Sequence, residues 1–505
     1  MNNTATRRRF IVTATPPTTN GDLHVGHLSG PYLAGDVFTR ARRMRGDDVL
    51  FVSGGDDHQT YVVTTAYRLG REPAELAQSC NDEIKETLRA ADVEMDAFTT
   101  PNAPYREHIG GFFADLYERG VLETRKWSFP WSPGTSRYLL EAFSAGFCPS
   151  CLTPTSGAIC EECGHPNDVA SLLYSYAPGT ADESLEYRPV EILVLPLEKH
   201  RARIRDHFER HSSAMRPHVL RFVKELLAKP LPDFPVTYPA DWGVPVPIPG
   251  FEDQVVNVWA EMLPGLIWMT DDAVQRAGIA ESGSPWDTDS GWELVQFLGF
   301  DNTFYFSFAH LALALGHGEI LTTQAIVTNE FYLLENTKFS TSRRHLIWAR
   351  DLVERYGADH VRFYLSLTNP ETQQTNFAEN EFVDVLRQRL HVPLRRIEEA
   401  LQVSQSDGSA SETAQNIVAT YSDGMRRAYE LETFSLREAA RLTANLLGLI
   451  ADRCTADPGL ALIGLAAIAA ETEPLMPTFS GSLSRALNQA GAEKPPALLE
   501  LLPEI

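Results

Sequence analysis

Apolar spacing along the chain separates an α/β part from an all-helical part. Near the start, Phe10-Ile11-Val12-Thr13-Ala14 has the continuous apolar character of a strand buried on both faces. Apolar positions then recur at helical spacing through Leu28, Leu33, Val37, Phe38, Ala41 and Met44, and Gly46 supplies a C-terminal cap. Asp48-Val49-Leu50-Phe51-Val52 predicts a second strand, and Pro73 opens a helix through Leu76, Ile84, Leu88 and Ala91. Another helix is expected over 108–119. After an interruption, strand character returns in Val255-Val256-Asn257-Val258-Trp259, over 294–299 and over 325–328. A helix from Asp301 through Phe304, Phe308, Leu311 and Leu315 separates the last two, and one carrying Val353, Tyr356, Val361, Tyr364 and Leu365 follows. Beyond Phe382 the periodicity is helical, broken by a polar linker over 404–413. Strands alternating with helices predict a parallel sheet.

A chain of 505 residues exceeds a single core, so about three domains are expected. Its 43% apolar and 22% charged residues are those of a globular protein. The net charge of −23 opposes non-specific binding to polyanions, and DNA is not an expected partner. Arg7-Arg8-Arg9 leads into a strand rather than a signal-peptide core, and the apolar run over 461–470 is too short to span a bilayer. A cytoplasmic protein without membrane contact is expected.

Four of the six cysteines, Cys148, Cys151, Cys160 and Cys163, form a CxxC…CxxC set. Thiolate pairs at this spacing favour structural zinc over disulfides when no export signal is present. Two unligated thiol pairs are the alternative. Cys80 and Cys454 read as buried apolar side chains.

The densest chemistry lies in Pro16-Pro17-Thr18-Thr19-Asn20-Gly21-Asp22-Leu23-His24-Val25-Gly26-His27, between the first strand and the first helix. A strand, a turn and a helix N-terminus present unpaired N–H groups to an anion. His24 and His27 can donate to phosphate oxygens, and Gly26 lets a flat base approach. Ser53-Gly54-Gly55-Asp56-Asp57-His58 follows the second strand, where parallel sheets face their ligands. A loop that caps the next helix is the plainer reading of that segment.

Asn20-Gly21-Asp22-Leu23-His24-Val25-Gly26-His27 resembles the first signature of class I aminoacyl-tRNA synthetases, and its flanks resemble methionyl-tRNA synthetases. The likeness covers most of the chain. It implies an α/β fold: a class I synthetase-type split Rossmann domain with a zinc-knuckle insertion and a C-terminal α-helical bundle. The implied divisions are Rossmann halves at 1–126 and 236–345, an insertion at 127–235, stem-contact helices at 346–381, and an anticodon-binding-like domain at 382–505.

Lys338-Phe339-Ser340-Thr341-Ser342 resembles the family's second signature, Lys-Met-Ser-Lys-Ser, with Thr341 in place of the second lysine. Arg343 and Arg344 offer replacement charge, although a guanidinium there does not sit in the same place. A solvated basic turn is the alternative. Gly299-Phe300-Asp301 resembles a Gly-Lys-Asp motif whose aspartate holds the ATP ribose; Asp301 as a helix N-cap is equally open. The resemblance thus implies His24, His27, Lys338 and Arg343 as catalytic groups. It implies ATP contacts from Asn20, Gly26, Gly299, Asp301, Ser340 and Ser342. Asp56 or Asp57 would hold the substrate ammonium, with Pro16 and His58 nearby.

The amino-acid pocket departs from the family. Thr18 stands where the family has tyrosine, and Phe300, Asn302 and Phe306 stand at its lysine, isoleucine and histidine. Trp259 is kept, Met262 adds bulk, Leu266 replaces a tyrosine, and Tyr238-Pro239 replaces an arginine–aspartate pair. Unpaired polar groups facing an apolar thioether cost roughly 1–3 kcal/mol each, which predicts an acid smaller or more polar than methionine.

The tRNA side departs too. The anticodon-reading asparagine and arginine of the family correspond to Arg396 and Ala400, and an expected tryptophan is missing near Asn445. Residues 381–505 hold 17 acidic and 11 basic side chains, a net of −6, the reverse of what phosphate binding favours.

The expected function is therefore ATP- and Mg2+-dependent activation of an amino acid, with transfer to a small-molecule acceptor. An N-hydroxylated amino acid on the way to a hydrazine, with a cupin-type partner in a natural-product pathway, is one such case. Methionyl-tRNA synthesis and a catalytically silent binding protein are the alternatives.

Overall fold

A computed structural model describes residues 7–180, 184–279, 283–339, 345–403, 409–489 and 497–505. Its centre is a five-stranded parallel sheet of β1 (Arg9–Ala14), β2 (Asp48–Gly54), β3 (Ala97–Thr99), β4 (Glu293–Gly299) and β5 (Thr323–Asn329). The spatial order is β3-β2-β1-β4-β5. This is the doubly wound order, and it reverses between β1 and β4. Phe10, Val12 and Phe297 feed a core on one face, and Ile11, Leu50 and Leu294 feed another on the opposite face. Burial on both faces is why these strands read as unbroken apolar runs.

Between β3 and β4 the chain leaves the sheet. Glu123–Ser132 and Glu186–Pro196 pair antiparallel, with Glu186 opposite Trp131 and Val194 opposite Glu123. The cysteine-bearing hairpins lie between these two strands. After β5, helices Ala349–Tyr356 and Ala358–Leu367 lead to a bundle containing Glu412–Ala428, Leu436–Arg453, Pro458–Glu471 and Pro477–Gln489. The bundle and the adjoining sheet face share one continuous apolar cluster, from Phe10 and Phe38 to Leu446 and Leu483.

Three elements differ from the pattern-based reading. The strand expected from Val255 to Trp259 is only Val255–Val256. Asn257 then accepts a hydrogen bond from the Trp259 N–H and starts the helix Val258–Ala277, so a cap overrides β-branched propensity. The helix expected from Asp301 is a 3-10 turn, Phe300–Asn302, a π stretch, Tyr305–His310, and the helix Leu311–His317. Finally, the helix carrying Val353 to Leu365 is broken at Gly357, where φ is +84° and a Cβ would meet Pro503 at 2.8 Å.

Candidate active site

The ends of β1 and β4 flank the point where the strand order reverses, which is where open α/β sheets bind ligands. A cavity of about 390 Å3 opens there, lined by Thr15 to Thr18 after β1 and by Gly299 to Asn302 after β4. The first turn is held from several sides. Asp56 N–H donates to Pro17 O at 3.0 Å, Tyr32 Oη donates to Thr15 O at 3.0 Å, and Val25 N–H donates to Ile347 O at 3.0 Å. Asp22 accepts from the Leu23 N–H and the Thr87 hydroxyl, both at 2.7 Å, and pairs with Arg350 at 3.2 Å.

His24 and His27 share a reciprocal cap. The His27 N–H donates to His24 Nδ1 at 3.2 Å, and the His24 N–H approaches His27 Nδ1 at 3.4 Å. Each Nδ1 is thus an acceptor, and each neutral ring carries its proton on Nε2. The rings stack at 3.6 Å, and both line the cavity. Desolvation by the surrounding protein lowers both pKa values, His24 well below its ordinary value and His27, whose ring edge still meets solvent, to about 4. The pair therefore offers neutral N–H donors, not imidazolium charge. Phe339 stacks on His24 at 4.7 Å, and a Cβ on Gly26 would lie 3.2 Å from that ring.

Across the cavity, burial and then the charge of Glu161 raise Asp301 to about 7, opposed by Lys338. Asp301 makes no helix cap, because Gly299 holds the N-cap position. Its Oδ1 accepts from Asn302 Nδ2 at 3.1 Å and would sit 2.5 Å from any Cβ on Gly299, so only glycine lets the carboxylate fold back there. Lys338 pairs with Glu162 at 3.3 Å and Glu161 at 3.8 Å, both on the cysteine hairpin. Ser340, Thr341, Ser342, Arg343 and Arg344 lie outside the described residues.

At the other end Asp56, not Asp57, lines the cavity. Burial, followed by Glu261, Glu141 and Asp57, pushes its carboxyl well above the usual range, against the Gln59 amide. Asp57 turns away to accept from Thr19 Oγ1 at 3.0 Å and Asn81 Nδ2 at 2.9 Å. His58 is also withdrawn, 2.8 Å from Glu261; burial alone lowers its pKa, but Glu261 outweighs that and raises it. Pro16, Asn20, Thr18, Trp259, Met262 and Asn302 line the cavity. Phe306 does not: it is 1% exposed and packs on His310. Tyr238 does not line it either: it is partly buried against Phe129, with its hydroxyl accepting from Asn257 Nδ2 at 3.1 Å.

Two contributors escape a reading of the sequence. Glu141 accepts from Trp259 Nε1 at 3.0 Å and Thr60 Oγ1 at 3.2 Å, and burial raises it to about 7. Gln59 lines the cavity one residue beyond the acidic segment. Neither position carries a periodic or motif signal.

The Sγ atoms of Cys148, Cys151, Cys160 and Cys163 lie within 4.8 Å of one another, with closest pairs at 3.6 and 3.8 Å. Tetrahedral zinc with Zn–S bonds of about 2.3 Å gives sulfur separations of roughly 3.8 Å, so the cluster fits a structural zinc with no open position. Leu152 and Gly164, at φ 62° and 71°, turn the chain after each pair.

A family model described as tRNA synthetases class I (M) matches residues 10–394. The chain belongs to this family of class I aminoacyl-tRNA synthetases. Members are ligases that form aminoacyl adenylates with ATP and use Mg2+. The methionine–tRNA ligase of Rubrobacter xylanophilus is 32% identical over 389 residues, covering 74% of the chain and 67% of that protein. That of Thermobifida fusca is 33% identical over 395 residues, covering 74% and 65%. The chain thus spans about two thirds of these relatives' length. In fold, this synthetase is similar to the Mycobacterium tuberculosis methionyl-tRNA synthetase solved with methionyl-adenylate, with a TM-score of 0.73 at 19% identity over 98% of this chain and 97% of that one.

Proposed function

We propose that this synthetase activates an amino acid at the switch-point cavity. The acid's carboxylate attacks the α-phosphate of ATP in line, forming the acyl–phosphate bond and releasing pyrophosphate. The observation that carries this reading is the convergence of His24, His27, Asp301, Asp56 and Lys338 on one cavity. The two Nε2–H groups donate to phosphate oxygens, Asp301 accepts from the ribose diol, and Asp56 accepts from the ammonium. Lys338 exchanges its glutamate partners for the departing pyrophosphate, with Arg343 as a second cation. Mg2+ supplies further charge neutralisation when bound with ATP.

For the acid and the acceptor, the relatives' names favour methionine and tRNA. A smaller or more polar acid draws support from Thr18, Asn302 and Met262 at the cavity wall. A small-molecule acceptor draws support from the net −6 of residues 381–505 and from Arg396, which pairs with Asp452 at 2.8 Å. ATP–pyrophosphate exchange over a panel of amino acids, with a tRNA-charging assay, separates these readings. Exchange with any acid supports activation, and no exchange contradicts it. Methionine-driven exchange with tRNA charging assigns the relatives' activity; another acid without charging assigns the small-molecule route.

A further inference from the structure

We infer that the amino-acid end of the cavity is built for a short, neutral α-amino acid of about the size of serine, and that Met262 and Gln59 set that limit. The inference rests on the activation reading above and specifies its substrate class.

Trp259 and Met262 lie three residues apart on the helix Val258–Ala277, so both reach the cavity from one helix face. Behind them the protein is filled. Leu263 and Leu266 are 2% and 0% exposed, and Trp259 stacks on Tyr305 at 4.1 Å and 10°. Tyr305 is anchored in turn by its hydroxyl, which donates to Ala158 O at 2.5 Å. Among the described residues, a long side chain entering from the Asp56 end meets Met262 and this packed layer. The whole cavity of about 390 Å3 lies at the small end for ligand sites and must hold the nucleotide as well.

Gln59 supplies the polar half. It is 2% exposed, lines the cavity beside Asp56, and its Oε1 has no hydrogen-bond partner. A buried acceptor without a donor favours a ligand that brings one. With the ammonium that every α-amino acid carries held at Asp56, a short side-chain hydroxyl can do so; a thioether or an aliphatic chain cannot. Glu141, Glu261 and Asp57 stand behind Asp56 and disfavour an acidic side chain.

The test is ATP–pyrophosphate exchange with glycine, alanine, serine, aspartate, leucine and methionine on the full chain and on Met262→Ala and Gln59→Leu. The native protein should prefer alanine or serine to methionine by about 100-fold or more in kcat/KM. Met262→Ala should shift the serine-to-methionine ratio toward methionine at least about tenfold. Gln59→Leu should raise KM for serine more than it lowers kcat. Native preference for methionine or leucine, or an unchanged ratio in Met262→Ala, overturns the inference. Absence of exchange with every acid counts against activation itself. Binding of seryl- against methionyl-sulfamoyladenosine then decides the size limit separately: tighter seryl binding upholds it, and tighter methionyl binding overturns it.

Discussion

His24 and His27 show how a motif's chemistry depends on contacts that the motif does not spell out. Spacing placed both rings at a helix mouth, but the reciprocal cap and the desolvation of the rings at the cavity make them neutral Nε2–H donors. Replacing His27 with alanine should lower exchange kcat by about 10²-fold or more, the usual loss for a donor to developing charge. The folded-state pKa of His27 lies near 4, below its ordinary 6.5. Asp301 behaves oppositely, being held up to about 7 by burial and Glu161. Adenosine affinity, measured calorimetrically, should rise by roughly tenfold between pH 6 and 8 as the carboxylate ionises, and Asp301→Asn should abolish that rise. Asp57 and His58 are expected at the site from their place after β2, and Tyr238 and Phe306 from matching the family's pocket positions. Their actual places are fixed by distant partners such as Asn81 and Glu261, which no local spacing encodes.

Elements were most legible where a single periodicity governed them. β1, β2, β4 and β5 announce themselves because both faces are buried, and the cysteine hairpins because ligand spacing is local. Segments shaped by caps were misread, as with Asn257, which turns a β-branched run into a helix start. The helix Leu33–Met44 packs so closely on β2 that a Cβ on Gly35 would lie 2.7 Å from the Phe51 ring. Gly35→Ala should therefore cost about 1–3 kcal/mol in chemical denaturation, as overpacked cores do. The cysteine hairpins should carry one zinc per chain by elemental analysis. Chelation should raise hydrogen exchange around Cys148 to Cys163 while leaving β1 protected.

Across the whole molecule, the sheet and the helical bundle act as one body. Arg362, fully buried, pairs with Asp36 at 2.6 Å and donates to the carbonyls of Ala91, Asp92, Pro474 and Leu475. It thereby ties the helix Leu33–Met44 to the connection between the bundle helices Pro458–Glu471 and Pro477–Gln489. Arg362→Leu should destabilise the protein by about 3 kcal/mol or more, because buried carbonyls and a carboxylate lose their donor. The overall plan was readable from the first signature and the alternation of elements. The link through Arg362 was not, since it joins residues more than 300 positions apart.

The central claim is that an amino-acid carboxylate is joined to the α-phosphate of ATP at the paired imidazoles. The most direct measurement uses an amino acid labelled with oxygen-18 in its carboxylate and reads the AMP released after turnover by mass spectrometry. One labelled oxygen should appear in AMP, and His24→Ala or Lys338→Ala should suppress its formation. Unlabelled AMP, or ADP and inorganic phosphate as the products, would contradict the account.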